Sequence, residues 1–172
     1  MSKGSGGVRP LATKQIPARE KEFRNLMATG EYGDSYFSPS GGFVVSENTK
    51  VSHSEEEWGA AIALADNGYR VILKNEAGMG KTRDGDLILF GEYEQRTPKG
   101  SGAINFKGVL RHARDKNADI ALAYQKEGKH SRDDIEKAIS EFESESKYRF
   151  KRIIVVTKDG RIHTHFHKKE EA

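Results

Sequence analysis

Three acids and a cation stand out in "DLILFGEYEQR". Asp86 opens a short apolar run, and Glu92, Glu94 and Arg96 follow at alternate positions beyond Phe90 and Gly91. Alternation of this kind marks a strand whose residues i, i+2 and i+4 share one face. If Phe90 and Gly91 form a two-residue turn, Leu89 pairs with Glu92, Leu87 with Glu94, and Asp86 lies opposite Gln95. Asp86 then ends its strand beside Glu94 and the Gln95 carbonyl, with Arg96 on the face of Glu94. Two carboxylates and a backbone carbonyl are hard oxygen ligands, suited to Mg²⁺ or Mn²⁺ rather than zinc. Such an ion lowers the pKa of a bound water and neutralises a phosphate under attack, while a neighbouring cation orients the water or stabilises the developing charge. The same alternation also fits a strand with one plain solvated face, and the pattern alone leaves both readings open.

These residues need a sheet and helices to hold them. The spacing predicts a first helix through "AREKEFRNLMATG", with Phe23, Leu26 and Met27 on one face, then two strand pieces around Ser38-Pro39-Ser40-Gly41-Gly42. A serine-capped helix with Trp58, Ala61, Ile62 and Ala65 in register leads to a strand over 69–74. After a glycine-rich loop come strands 86–90 and 92–97, a helix from Ala103 to about Asn117, the strand "DIALAYQ" and the charged helix "SRDDIEKAISEFESES". A last hairpin turns at Asp159-Gly160. This order predicts an α/β (α+β) fold, one mixed sheet flanked by helices. Residues 1–20 read as a disordered tail, 21–51 as a helix-and-strand extension, 52–167 as the compact domain and 168–172 as a charged tail.

Composition narrows the classes. The chain has 172 residues, 32% of them charged, and a net charge of only +3, so binding a polyanion requires cations clustered in space. The absence of cysteine excludes disulfides, thiolate metal sites and a cysteine nucleophile. No apolar run suits a membrane span or a signal peptide, and the expectation is a cytoplasmic protein without membrane contact.

An acid opening a strand, a hairpin, then acid-x-cation resembles the PD-(D/E)XK nuclease superfamily. More narrowly, "ADNGYRVILKNE", "DGDLILFGEYEQRTPKG", "AINFKGVLRHARDKNADIALAY" and "RIIVVTKDGRI" look like the C-terminal tRNase toxin domain of contact-dependent growth inhibition CdiA proteins, whose relatives occur on phages and mobile elements. The resemblance spans roughly Ser52 to Ile162. It implies a restriction-endonuclease-like fold, a metal-dependent endonuclease acting on RNA such as tRNA, and an immunity protein as partner. Asp86 and Glu94 would be the metal ligands, joined by a glutamate on the preceding helix, Glu57 before Glu56. Where the family usually has lysine, this chain has Arg96, which keeps the charge but cannot deprotonate. The second reading is therefore a catalytically inactive nucleic-acid-binding or structural module of the same fold.

Other features bear on the substrate. Lys107, Arg111 and Arg114 recur at helical spacing as a basic stripe, suited to a phosphate backbone or simply solvated. His112 beside them is a candidate proton shuttle, or general acid of a metal-independent ribonuclease, or a plain surface histidine. "GMGKT" lacks the strand–loop–helix setting of a nucleotide-binding loop and reads instead as a lid carrying Lys81 and Arg83 toward the substrate, and Lys99 is a further expected nucleic-acid contact. His163, His165 and His167 share a strand face, more in keeping with adventitious metal affinity than with a designed site. The helix holding Asp133, Asp134, Glu136, Glu141, Glu143 and Glu145 is acidic and is expected on the sheet face away from nucleic acid.

Overall fold

Each expected element forms in the computed structural model, which describes residues 15–47, 53–75, 83–127 and 129–165. In chain order these are α1 (Ile16–Ala28), β1 (Tyr32–Phe37), β2 (Phe43–Glu47), α2 (Glu55–Asp66), β3 (Arg70–Leu73), β4 (Gly85–Leu87), β5 (Gly91–Arg96), α3 (Ala103–Asp115), β6 (Ile120–Gln125), α4 (Arg132–Glu145), β7 (Arg152–Thr157) and β8 (Ile162–His165). The strands make one eight-stranded sheet whose spatial order repeats the chain order. The pairs β2–β3, β5–β6 and β6–β7 are parallel and the others antiparallel, the mixed sheet expected from the sequence.

Strand alternation divides the core into two layers. Ile120 and Leu122 of β6 join Val44, Leu73, Leu87, Tyr93 and Ile154 under α2, whose buried face is built from Ala60, Ala61, Ala63, Leu64 and Ala65. Such small residues let the helix lie close to the sheet. Gly59 carries this furthest: a Cβ there would stand 2.8 Å from the Tyr124 hydroxyl. Ala121 and Ala123 point the other way, under Phe106, Val109 and Leu110 of α3 and Ile135, Ile139 and Phe142 of α4. The acidic helix α4 therefore lies beside α3 on the same sheet face, not across the sheet as its charge suggested. Two amphipathic helices following successive parallel strands bury their apolar stripes together, and that contact outweighs the sign of their outer faces.

The extension at the start of the chain belongs to the same sheet. Phe43, Val44 and Val45 of β2 are fully buried, and the Phe23 ring of α1 lies 5.4 Å from Phe37 and 5.5 Å from Phe43. Arg70 bonds Glu22 at 2.8 Å, fastening α1 to β3. The compact body thus begins before Ser52, and α1 starts inside the stretch expected to be a tail, of which 1–14 lie outside the described residues. Among the described residues no helix is long and apolar enough to cross a membrane.

Candidate active site

The β4–β5 connection fixes the geometry. Ile88, Leu89 and Phe90 stand between the strands, the Phe90 N–H donates to the Leu87 carbonyl at 2.8 Å, and Leu89 takes a φ of +76°. Gly91 opens β5 at φ +129°, where a Cβ would meet Asp119 at 2.8 Å. This three-residue loop pairs Asp86 with Glu92 and Gly85 with Tyr93. The expected two-residue turn, and the placing of Asp86 beside Gln95, are therefore corrected. Asp86 lies away from the cleft described next, and its pKa is pushed up by burial and by Glu92 and Asp119, against the pull of Lys74.

Asp84 takes the position expected for Asp86. Its carboxylate accepts from the Gln95 N–H at 2.7 Å, and its own N–H donates to Glu94 Oε1 at 3.2 Å. Glu94 is 3% exposed, and its other oxygen, Oε2, lies 2.7 Å from His112 Nε2 on α3. Burial first, and the charge of Asp84 second, push the Glu94 carboxyl up to about 8, despite Lys116 and the Asp84 N–H. Burial also lowers His112, helped by the positive charges of Arg96 and Lys116. Both shifts favour a neutral acid hydrogen-bonded to a neutral imidazole.

The third carboxylate comes from across the cleft. Ser54 Oγ accepts from the Glu57 N–H at 3.1 Å and Glu57 Oε1 accepts from the Ser54 N–H at 2.8 Å, a reciprocal cap that starts α2 and fixes the glutamate. Burial acts to raise Glu57, but the His53 contact and the Ser54 N–H outweigh it and hold the carboxyl at about 2. Glu56, the other candidate from the sequence, turns away to Lys126 at 3.4 Å. Glu57, Asp84, Glu94, Arg96, Lys99 and His112 line one cleft of about 840 Å³ at the end of β5, with Ile104, 80% exposed, on its rim. Gln95, Arg111 and Asp115 also border it.

This donor set suits a hard divalent cation in kind: two neighbouring carboxyl groups, one of them pushed up by burial and by the charge of the other. Among the described residues no three carboxylate or imidazole groups converge into a finished cage. An ion held by two carboxylates, with water and substrate phosphate completing the shell, is the usual arrangement for Mg²⁺.

The expected nucleic-acid contacts divide. Lys99 and Arg96 line the cleft, and neither has an acidic partner within ion-pair distance among the described residues. The α3 stripe is held by acids instead. Lys107 bonds Glu141 at 3.1 Å and Glu145 at 2.9 Å, Arg111 bonds Glu145 at 2.9 Å, and Arg114 bonds Asp115 at 3.2 Å. Arg83 pairs with Glu92, outside the cleft. Lys81, with the rest of "GMGKT", lies outside the described residues, as does His167. His165 neighbours His163, Arg132 and Glu136, and burial lowers its pKa.

Neither the family models nor the curated proteins yield a match to the chain. A solved structure does. A chain of the CdiA-CT/CdiI toxin and immunity complex from Burkholderia pseudomallei superposes with a TM-score of 0.55 at 18% identity, over 72% of this chain and 98% of that one. The two share a fold. The match agrees with the mixed sheet and flanking helices expected from the sequence.

Proposed function

We propose that this chain is a metal-dependent endonuclease that cleaves RNA such as tRNA, as a toxin domain restrained by an immunity protein. The observation that carries the reading is the Asp84–Glu94 pair, buried at the end of a hairpin and followed by Arg96 in an open cleft. The shared fold with a chain of a toxin and immunity complex supports the toxin setting and the partner. Asp84 and Glu94, with the Gln95 carbonyl, would hold Mg²⁺ or Mn²⁺, and Glu57 lines the same cleft. When bound, the ion supplies Lewis-acid polarisation of the phosphate and a water of lowered pKa.

The chain's own groups do the rest. Glu94 must lose its proton to become a ligand, and His112, at 2.7 Å, is the group placed to receive it. The planar guanidinium of Arg96 can fork onto phosphate oxygens. It binds and stabilises; it does not act as a base. Lys99 extends the positive mouth of the cleft.

The Glu94–His112 hydrogen bond favours one rival, a metal-independent ribonuclease in which His112 is general acid or base and Glu94 orients it. Cleavage of end-labelled tRNA and of plasmid DNA, with Mg²⁺, Mn²⁺ or a chelator, decides between them. Cutting is expected to require the metal and to fall at least about 100-fold in Asp84→Asn and Glu94→Gln, while Asp86→Asn stays within a few-fold of the parent. Full activity in Asp84→Asn would remove the proposed centre. Cutting that survives the chelator and vanishes in His112→Ala would select the rival.

A further inference from the structure

A second cleft, of about 630 Å³, opens where β6 and β7 end. Lys126, Lys129, Lys158 and Arg161 line it, with Glu127 and Asp159. Lys126 is held by Glu55 at 3.1 Å and by Glu56. Arg161 is held by Asp159, whose carboxyl stays below the usual range because the Thr157 hydroxyl and Arg161 both favour its charged form. Lys129 and Lys158 have no acidic partner within ion-pair distance among the described residues. They share that property with Arg96 and Lys99 at the first cleft. Lys21, Lys137 and Lys147 likewise have no acidic partner among the described residues, but they line neither cleft.

The two clefts lie along one edge. Strands β5, β6 and β7 run parallel, Arg96 pairs with Ala123 of β6, and Gln125, two residues further on, pairs with Thr157 of β7. At roughly 4.8 Å between strands, the second cleft begins about 10 Å from the end of β5. A nucleic-acid strand covers that in a few nucleotides, at roughly 3.4 Å each when stacked. The turn of α2 between the clefts carries Glu55 and Glu56, and Lys126 offsets their charge.

The geometry points to a second phosphate-binding site, in which Lys129 and Lys158 hold the backbone of the strand whose scissile phosphate lies at Arg96. This deepens the nuclease reading and rests on it. It also answers what the ion-paired α3 stripe leaves open, namely which cations hold the substrate beyond the cleavage point.

The test is binding of a fluorescein-labelled single-stranded RNA by the full chain carrying Glu94→Gln, followed by anisotropy across a salt series. Lys129→Gln with Lys158→Gln is compared with a charge-matched control, Lys137→Gln with Lys147→Gln, and all three proteins are checked for equal thermal stability. Each phosphate contact on a single strand contributes about 0.7 to the slope of log affinity against log salt. The cleft pair is therefore expected to lower the slope by about 1.4 and the control to leave it in place. Equal losses in both pairs would reduce the effect to bulk charge and overturn the site. An unchanged slope in the cleft pair would also overturn it, leaving those lysines to an acidic protein partner. If the Glu94→Gln parent binds no RNA or DNA at all, the failure belongs to the nuclease reading itself.

Discussion

Glu94 and Glu57 face one cleft and respond to acid in opposite directions. The folded chain keeps a proton on Glu94 up to about pH 8, whereas an unperturbed glutamate releases it near 4.5. Between those values the native state binds the extra proton, so without metal this group makes stability fall as pH rises through the window. Glu57, held at about 2, contributes stability that is present above 4.5 and lost as pH falls toward 2. Urea unfolding in chelator should show the first effect as a drop on the order of 1–3 kcal/mol between about pH 5 and 8, flattened in Glu94→Gln. An equally steep drop in the variant would place its cause elsewhere. Added Mg²⁺ should flatten the slope in the parent, because the ion replaces the proton. Arg96→Lys tests the departure from the resembled family. If the cation only stabilises charge, cutting changes by less than about tenfold, and a larger gain would mean that an amine able to deprotonate takes part.

The elements explain which parts of the site could be read in advance. Helices, strands and their order follow from periodicity and caps, whereas Glu57 was named only through the family resemblance, and the Ser54 cap is what fixes it in the structure. The hairpin register was not legible. Turn rules place glycine or asparagine in the left-handed region, and here a leucine occupies it, 87% exposed. The resulting three-residue loop puts Asp84, which the sequence reading did not single out, in the place expected for Asp86. Leu89→Asn should relieve that backbone at little loss of burial, a gain of about 1 kcal/mol and roughly 2–4 °C in Tm. A fall in Tm would mean that the Leu89 side chain has a packing role. Ser54→Ala should cost about 1 kcal/mol and lower cutting as well, since the same bonds fix Glu57. The pairing of α3 with α4 was equally hidden, because it depends on which helices share a face. Glu145→Ala should release Arg111 and part of Lys107, tightening RNA binding and steepening its salt dependence with little change in stability.

Across the whole molecule, charge is placed rather than accumulated. The net charge is only +3, and acids pair with the cations along α3, while among the described residues Arg96, Lys99, Lys129 and Lys158 have no acidic partner at the ends of the parallel strands. The layers were legible because β6 alternates residues between two cores; the two clefts at the strand ends were not, because they depend on the ends of several strands meeting. The strand order has a further meaning in time. Each strand lies next to the one made just before it, so during synthesis every new strand meets a partner that has already emerged. Each closure spans one turn or one crossover helix, and early contacts are not undone by later ones. Asp84, Glu94 and His112 fall within one continuous stretch, so the hairpin and its helix can come together before β7 and β8 exist. Those last strands join a sheet in which the central residues of the first cleft are already placed.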